Sequence, residues 1–451
     1  MKVYKFGGAS VRDAAGIRNL ESIVAQTLQL KEKAGGHDYA HDYTHDYTHD
    51  YAHAYTHAHA QDKLIVVVSA MGKTTNALER VVAFVHSGQI EQALGQLNDI
   101  RDFHIDIIKD LFSEGYQFLI NKVDGLLENI MSLIRKDNSS MSYDELYDQI
   151  VSYGESISTQ IVSYTLNRDG YSNSLMPMQQ LLITDSTFRE AIPDMELSRV
   201  AIENYLSTHN DELYIAQGFI GGTNDGRRTT LGREGSDYTA ALLANMLSAT
   251  DVTIWKDVPG ILNADPRLIS NTQLIERLTY YDAVELSYSG AQVIHPKTIR
   301  PLENKHIPLY VKPFMDPSAA GSVICDTAPK INIPVFIWRK NQVLITVRPK
   351  DFSFLLEEGL NKLFEVIHHN RLKVSLIQSS AVTISVSVDN SRYLAGAIAE
   401  LQKDYKVSFN EGLSLLTIRN TTSQINAEQS KNMVVLLSQT TRHTAKFLVQ
   451  D

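Results

Sequence analysis

The residues best placed to do chemistry lie between Gly218 and Ala244, in GFIGGTNDGRRTTLGREGSDYTAALLA. An apolar run, Leu213 to Ala216, leads into a segment carrying Gly218, Gly221, Gly222 and Gly232, and Asp237 then opens an alanine and leucine run with helical spacing. Strand, glycine-rich loop and helix start together let backbone N–H groups approach a ligand and favour an anion. Alone, the same pattern also describes an ordinary turn. Lys5 closes the apolar strand Val3 to Phe6 and is followed by Gly7, Gly8 and Ser10. The carboxyl ends of strands are where open α/β sheets bind ligands, although a surface lysine beside a turn would read the same way. The run Leu64 to Val68 delivers Ser69-Ala70-Met71-Gly72-Lys73-Thr74-Thr75-Asn76 to the same edge. It is not a nucleotide P-loop, because Val67 stands where the first glycine of GxxxxGK[ST] belongs. Glu155, in Tyr153-Gly154-Glu155-Ser156, is either an exposed acid in a first helical turn or a pocket carboxylate. Lys256 and Asp257 follow a further strand and precede Pro-Gly and Asp-Pro turns that stiffen a loop ending at Arg267. His295 precedes a proline, and a structural role is the commoner one for such a residue.

Positioning these groups requires a sheet. Strands are expected at Val3 to Phe6, Leu64 to Val68, Leu175 to Met178, Leu213 to Ala216, Val252 to Trp255 and Leu309 to Lys312, alternating with helices, as in a parallel sheet covered on both faces. A first helix is expected over about 13 to 30. From Ala77 to about Tyr164 the stripes are helical, with Val81, Val82 and Val85, then Phe103, Ile107 and Leu111, then Leu126, Leu127, Ile130 and Ile134. The stretch 314 to 341 reads as a linker rich in proline and glycine. Beyond it, Val343 to Val347, Phe354 to His368, Lys373 to Ile377, Val382 to Val388, Tyr393 to Asp404 and Ser414 to Ile418 alternate as βαββαβ, a ferredoxin-like unit. A last strand, Thr444 to Val449, has too little sequence around it to build a second unit and must find a partner sheet.

Residues 37 to 60, HDYAHDYTHDYTHDYAHAYTHAHA, form a period-four repeat with seven histidines. Its imidazoles could chelate a transition metal, but it has no aliphatic residues for a core and falls between a helix and a strand, as an inserted loop would. With 52 acids against 42 lysines and arginines the formal charge is -10, which disfavours a nucleic-acid binder. Cys325 is the only cysteine, no apolar run approaches membrane-spanning length and no signal-peptide pattern is seen, so the expected compartment is the cytoplasm, away from any membrane.

Taken together these motifs resemble the aspartate kinases, carboxylate kinases of the amino-acid-kinase fold followed by ACT regulatory modules. KFGGAS is similar to the family's KFGGTS, VVSAMGKTTN to VSAxxGxTN, GES to GE, LGREGSDYTAALLA to LGRGGSDxTAxxLA, and WKDVPGILNADPR to WTDVxGxxxxDPR. The resemblance implies a catalytic domain over 1 to 313, the linker 314 to 341 and an ACT-like region over 342 to 451. It implies phosphoryl transfer from ATP, with magnesium on the ATP oxygens, to the side-chain carboxylate of L-aspartate. Lys5 matches the lysine supporting the phosphoryl group, with Gly7, Gly8 and Ser10 beside it. Arg233 matches the binder of the substrate α-carboxylate, Glu155 and Asp237 the acids that recognise its ammonium and orient the site, and Ser69, Thr75 and Ser236 hydroxyl contacts. Lys256, Asp257, Leu262, Arg267 and Gln292 fall on nucleotide positions. There the chain departs from the family: Lys256 replaces threonine, Leu262 tyrosine and Gln292 lysine, while Ala9 replaces threonine and Glu234 glycine. A lysine or threonine effector and a homodimer built through the ACT-like region are further implications. Two alternatives remain open: a kinase of the same fold acting on another carboxylate or a nucleotide, against which the KFGG and GREGSD pair argues, and a catalytically idle amino-acid sensor.

Overall fold

The computed structural model describes residues 1–35, 63–136, 140–291, 294–351 and 357–450. The histidine repeat and Gln292 lie outside them. The described chain divides into two compact units, one comprising Met1–Ile261, Glu276–Ala283 and Ile294–Ala328, the other Leu262–Ile275, Val284–Val293 and Pro329–Asp451.

The first unit is built on an eight-stranded sheet in the order Asn173–Met176, Leu213–Gln217, Leu64–Val68, Lys2–Phe6, Asp251–Lys256, Leu309–Pro313, Ser322–Cys325 and Arg277–Thr279. Every neighbouring pair is parallel except Leu309–Pro313 with Ser322–Cys325. Strand Leu64–Val68 near the centre of this sheet is fully buried and, after Leu64, β-branched throughout, as a sheet covered on both faces requires. Helices Thr74–His86, Ile90–Leu111, Gln117–Arg135, Tyr143–Val151 and Tyr153–Arg168 carry the apolar stripes read between 77 and 164, and those stripes enter one core with the strands, except Phe103, which is exposed. Two stretches differ from expectation. The glycine-rich segment after Gln217 is not all loop: Ile220–Thr223 and Arg228–Thr230 pair antiparallel, and Ile183–Thr184 adds a third strand. Glycines 221 and 222 lower strand propensity and hid the hairpin. The expected linker also contains Ser322–Cys325, an integral strand of the first sheet.

The second unit carries a six-stranded sheet in the order Val374–Ser379, Ile384–Asp389, Val335–Pro349, Tyr405–Arg419, Thr444–Gln450 and Val435–Thr440. Its two central strands are 15 residues each, and their pairing is interrupted between Arg339 and Leu344. One half of this sheet, with helices Glu357–His369 and Leu394–Asp404, is the expected βαββαβ unit. The other half corrects the reading of the tail. Residues 413–419, helix Ser423–Ser430, Val435–Thr440 and Thr444–Gln450 form a second module, completed by residues 335–339 from within the supposed linker. Thr444–Gln450 therefore finds its partner inside its own chain. The missing strand was invisible locally because it precedes the first module in sequence and is set beside Tyr405–Arg419 only by long-range pairing.

Candidate active site

Lys5 and Lys256 project from the ends of adjacent parallel strands, Lys2–Phe6 and Asp251–Lys256, whose register pairs Lys5 with Ile254 and Phe6 with Trp255. Underneath, the Phe6 and Trp255 rings stack at 6.0 Å with Phe314 edge-on to Phe6, so both strand ends rest on packed aromatics. Asp237, in the first turn of helix Gly235–Met246, points at both lysines: Lys5 Nζ lies 2.6 Å from Oδ1 and Lys256 Nζ 3.3 Å from Oδ2. Burial of Asp237 favours its neutral form, but the two ammoniums outweigh burial and hold its carboxyl below the usual range. Burial likewise opposes the charge on Lys256, and Asp237 and Glu234 more than compensate. A buried carboxylate thus fixes two cations at one sheet edge, a preorganised receptor for an anion whose charge is spread over several oxygens.

The helix start is brought to this edge by close backbone approach. A Cβ on Gly218 would lie 2.5 Å from Ser236 Cβ, so nothing larger than glycine fits there unless the helix withdraws. The loop after Lys5 is equally tight, since a Cβ on Gly8 would lie 2.6 Å from the Ala70 carbonyl oxygen, and Gly72 N–H donates to the Gly8 carbonyl at 3.0 Å.

Glu155 is not the exposed acid of the two readings. It sits in the first turn of Tyr153–Arg168, buried, and its Oε1 accepts from the Ala70 N–H at 3.1 Å. Its Oε2 is buried without a hydrogen-bond partner among the described residues. Burial pushes its carboxyl up to about 7, against the pull of the Ala70 amide, Arg228 and Lys5. An orphaned carboxylate oxygen of this kind fits a ligand donor such as an ammonium.

The remaining expected residues divide. Ser236 is buried on the helix start, and Ser69 and Thr75 are half-buried, with the Ser69 carbonyl accepting from Ser158 Oγ at 2.7 Å. Gly7 is half-buried; Ser10 is buried in a turn whose amide donates to the Gly7 carbonyl at 2.9 Å. Arg233 and Asp257 are exposed. Leu262 and Arg267 belong to the second unit, where Leu262 bridges to Leu274 and Arg267 pairs with Asp265 at 2.7 Å. His295 has a structural role, its Nδ1 accepting from the Lys297 N–H at the start of Pro296–Glu303.

Two residues went unnoticed in the sequence. Arg228 is half-buried on the hairpin, donates to Ser152 Oγ and Ser156 Oγ at 2.7 Å each, covers the Tyr153 ring at 4.3 Å and faces Glu155. Asp148 accepts from the amides of Arg189 and Thr230 and from the Thr230 hydroxyl, tying helix Tyr143–Val151 to the hairpin. The signal for both was weak, a charged residue in an otherwise polar stretch whose partners are distant in sequence.

Residues 1–313 match the model of the amino acid kinase family. The lysine-sensitive aspartokinase 3 of Escherichia coli is 33% identical over 78% of this chain and 80% of its own length. Among solved structures, E. coli aspartokinase III in complex with aspartate and ADP superposes with a TM-score of 0.82 at 28% identity, covering 100% of this chain and 96% of that one. A bifunctional aspartokinase/homoserine dehydrogenase of Zea mays is 33% identical over 58% of this chain, which spans only 29% of that protein.

Proposed function

This chain belongs to the amino acid kinase family, among its aspartokinases, and on that premise we propose that it transfers the γ-phosphoryl group of ATP to the side-chain carboxylate of L-aspartate, yielding 4-phospho-L-aspartate and ADP. The observation that carries the reading is the pair of lysines held on the two oxygens of buried Asp237. The nucleophile, a carboxylate, is already ionised at neutral pH, so the site needs no strong base. It must bring two anions together in line and offset the charge spread over the transferred group. Lys5 supports that group, with the Gly7 and Gly8 amides as neutral donors, and Asp237 aims Lys5 rather than taking a proton. Arg233 offers its planar fork to the substrate α-carboxylate, and the orphaned oxygen of Glu155 meets the α-ammonium. Ser69, Thr75 and Ser236 add hydroxyl contacts. Lys256 takes a phosphate contact, with Ser10 and Asp257 assigned to the nucleotide side. Two lysines facing the phosphoryl position suit phosphate oxygens that bring their own magnesium, which would neutralise charge between the β- and γ-phosphates.

The second unit is assigned regulation by an end-product amino acid, and the lysine sensitivity of the E. coli relative makes lysine the first effector to test, threonine the second. Pairing of two chains through the open sheet edges Val374–Ser379 and Val435–Thr440 is the proposed route to a homodimer. Among the described residues no helix is long and apolar enough to cross a membrane, and a cytoplasmic location is proposed with the activity. A coupled ADP-release assay tests the reaction. ADP release that depends on L-aspartate and not on L-glutamate is expected; release with glutamate alone would assign another substrate, and none with either would leave an amino-acid sensor.

A further inference from the structure

Glu234 occupies a position at which an acid is costly. It caps helix Gly235–Met246 with φ 53°, in the left-handed region that favours glycine, yet its side chain accepts no hydrogen bond from the helix amides. Its Oε2 is buried without a hydrogen-bond partner among the described residues, and burial raises its carboxyl above the usual range. Backbone and solvation both disfavour glutamate here, so an offsetting interaction is required. The groups that act on Glu234 are Lys256 on the neighbouring strand, Asp237 and Arg233 on either side of it in the chain, and Lys5. Lys256 in turn interacts with Asp237, Glu234 and Asp257. Positions 234 and 256 are also two of the places where this chain departs from the family pattern, and the departures are opposite in charge.

Asp237 cannot satisfy Lys256 alone, because its other oxygen is held by Lys5 at 2.6 Å. Two lysines and two acids form a set that is nearly neutral while the site is empty. Nucleotide phosphates then bring several negative charges to the same edge, and Lys256 cannot serve them and both acids equally. We propose that Glu234 is the exchange partner of Lys256: in the nucleotide-free site the Lys256 ammonium, held on Asp237 at 3.3 Å, balances the charge of the Glu234 carboxylate, whose buried Oε2 makes no hydrogen bond among the described residues, and Glu234 takes up a proton when the phosphates take that ammonium over. The proton comes from solvent, and no covalent bond of the nucleotide changes. The inference rests on the reading of Lys256 as a phosphate contact, and it makes nucleotide binding tighter as pH falls through the range in which the released carboxyl titrates.

Calorimetric titration of the full-length protein with magnesium ADP, in two buffers of different ionisation enthalpy, measures the proton count directly. The nucleotide's own phosphate proton contributes alike to all variants and cancels in their difference. The parent should take up roughly half a proton or more per ADP in excess of Glu234→Gln. Glu234→Gly, which suits the left-handed backbone and guards against a folding defect, should behave like Glu234→Gln. Lys256→Met should bind ADP at least about tenfold more weakly and show no excess uptake. Equal uptake in the parent and both Glu234 variants would overturn the exchange. Unchanged ADP affinity in Lys256→Met would instead overturn the phosphate contact on which it rests.

Discussion

Glu155 shows what a site of this kind demands of single residues. Its carboxyl stands near 7 against an ordinary value of 4.5, because burial disfavours the anion. A raised acid binds its proton more tightly in the folded chain than in the unfolded one. Its contribution to stability is therefore complete below about pH 4.5 and is lost as pH rises through about 7. The stability of Glu155→Gln relative to the parent should accordingly rise by roughly 2 to 3 kcal/mol between about pH 5 and about pH 8, as urea unfolding would show. Binding of aspartate should worsen in the same variant, so that stability and activity move in opposite directions. A pH-independent stability difference would mean that Glu155 is not the isolated buried acid described here. Lys5→Ala should lower kcat on the order of a hundredfold or more and also lower the melting temperature, because it leaves the buried Asp237 carboxylate with one ammonium fewer; a kcat loss within about threefold in the folded variant would remove Lys5 from the mechanism. Arg233→Lys should raise the KM for aspartate far more than that for ATP, because an ammonium lacks the bidentate fork. These residues were legible because each stands at a strand end or helix start with a strong local pattern. Arg228 and Asp148 were not, since what defines them is burial against Ser152, Ser156, Arg189 and Thr230, contacts that only the fold creates.

Among the elements, the parallel strands were readable from continuous β-branched runs such as Leu64–Val68, and the helices between 74 and 168 from their stripes. The hairpin after Gln217 was not, because close packing rather than propensity makes Gly221 and Gly222 strand residues. The contact of Gly218 with Ser236 ties that segment to the helix bearing Asp237. Gly218→Ala should cost about 1 to 3 kcal/mol in a thermal or urea melt and lower kcat beyond what the lost stability explains, because the displaced helix carries Asp237 away from both lysines. Full activity in that variant would show that the helix start tolerates movement. Excision of residues 37 to 60, read from composition as an inserted loop, should leave kcat within about twofold while reducing affinity for nickel or zinc.

At the scale of the whole molecule, the second unit is more than an appended tail. It holds Leu262–Ile275, whose Asn263 side chain donates to the Pro334 carbonyl at 3.0 Å and whose Asn263 carbonyl accepts from Phe336 N–H at 2.8 Å. It also holds Val284–Val293, whose Glu285 pairs with Arg419 at 2.6 Å. Truncation after Pro313 would strip those segments of their partners, so single substitutions probe regulation more cleanly. If lysine is the effector, saturating lysine should weaken substrate binding by roughly 5-fold to 150-fold, and Arg419→Ala should reduce that response without altering the KM for aspartate in its absence. No response to lysine or threonine would leave the second unit as an assembly element. The most direct test of the central claim is to trap the product: the full chain is incubated with magnesium ATP, L-aspartate and hydroxylamine, and the hydroxamate is identified by mass and NMR. The β-hydroxamate of aspartate should form in step with ADP and vanish in Lys5→Ala; ADP formation without it, or a hydroxamate at the α-carboxyl, would contradict the account.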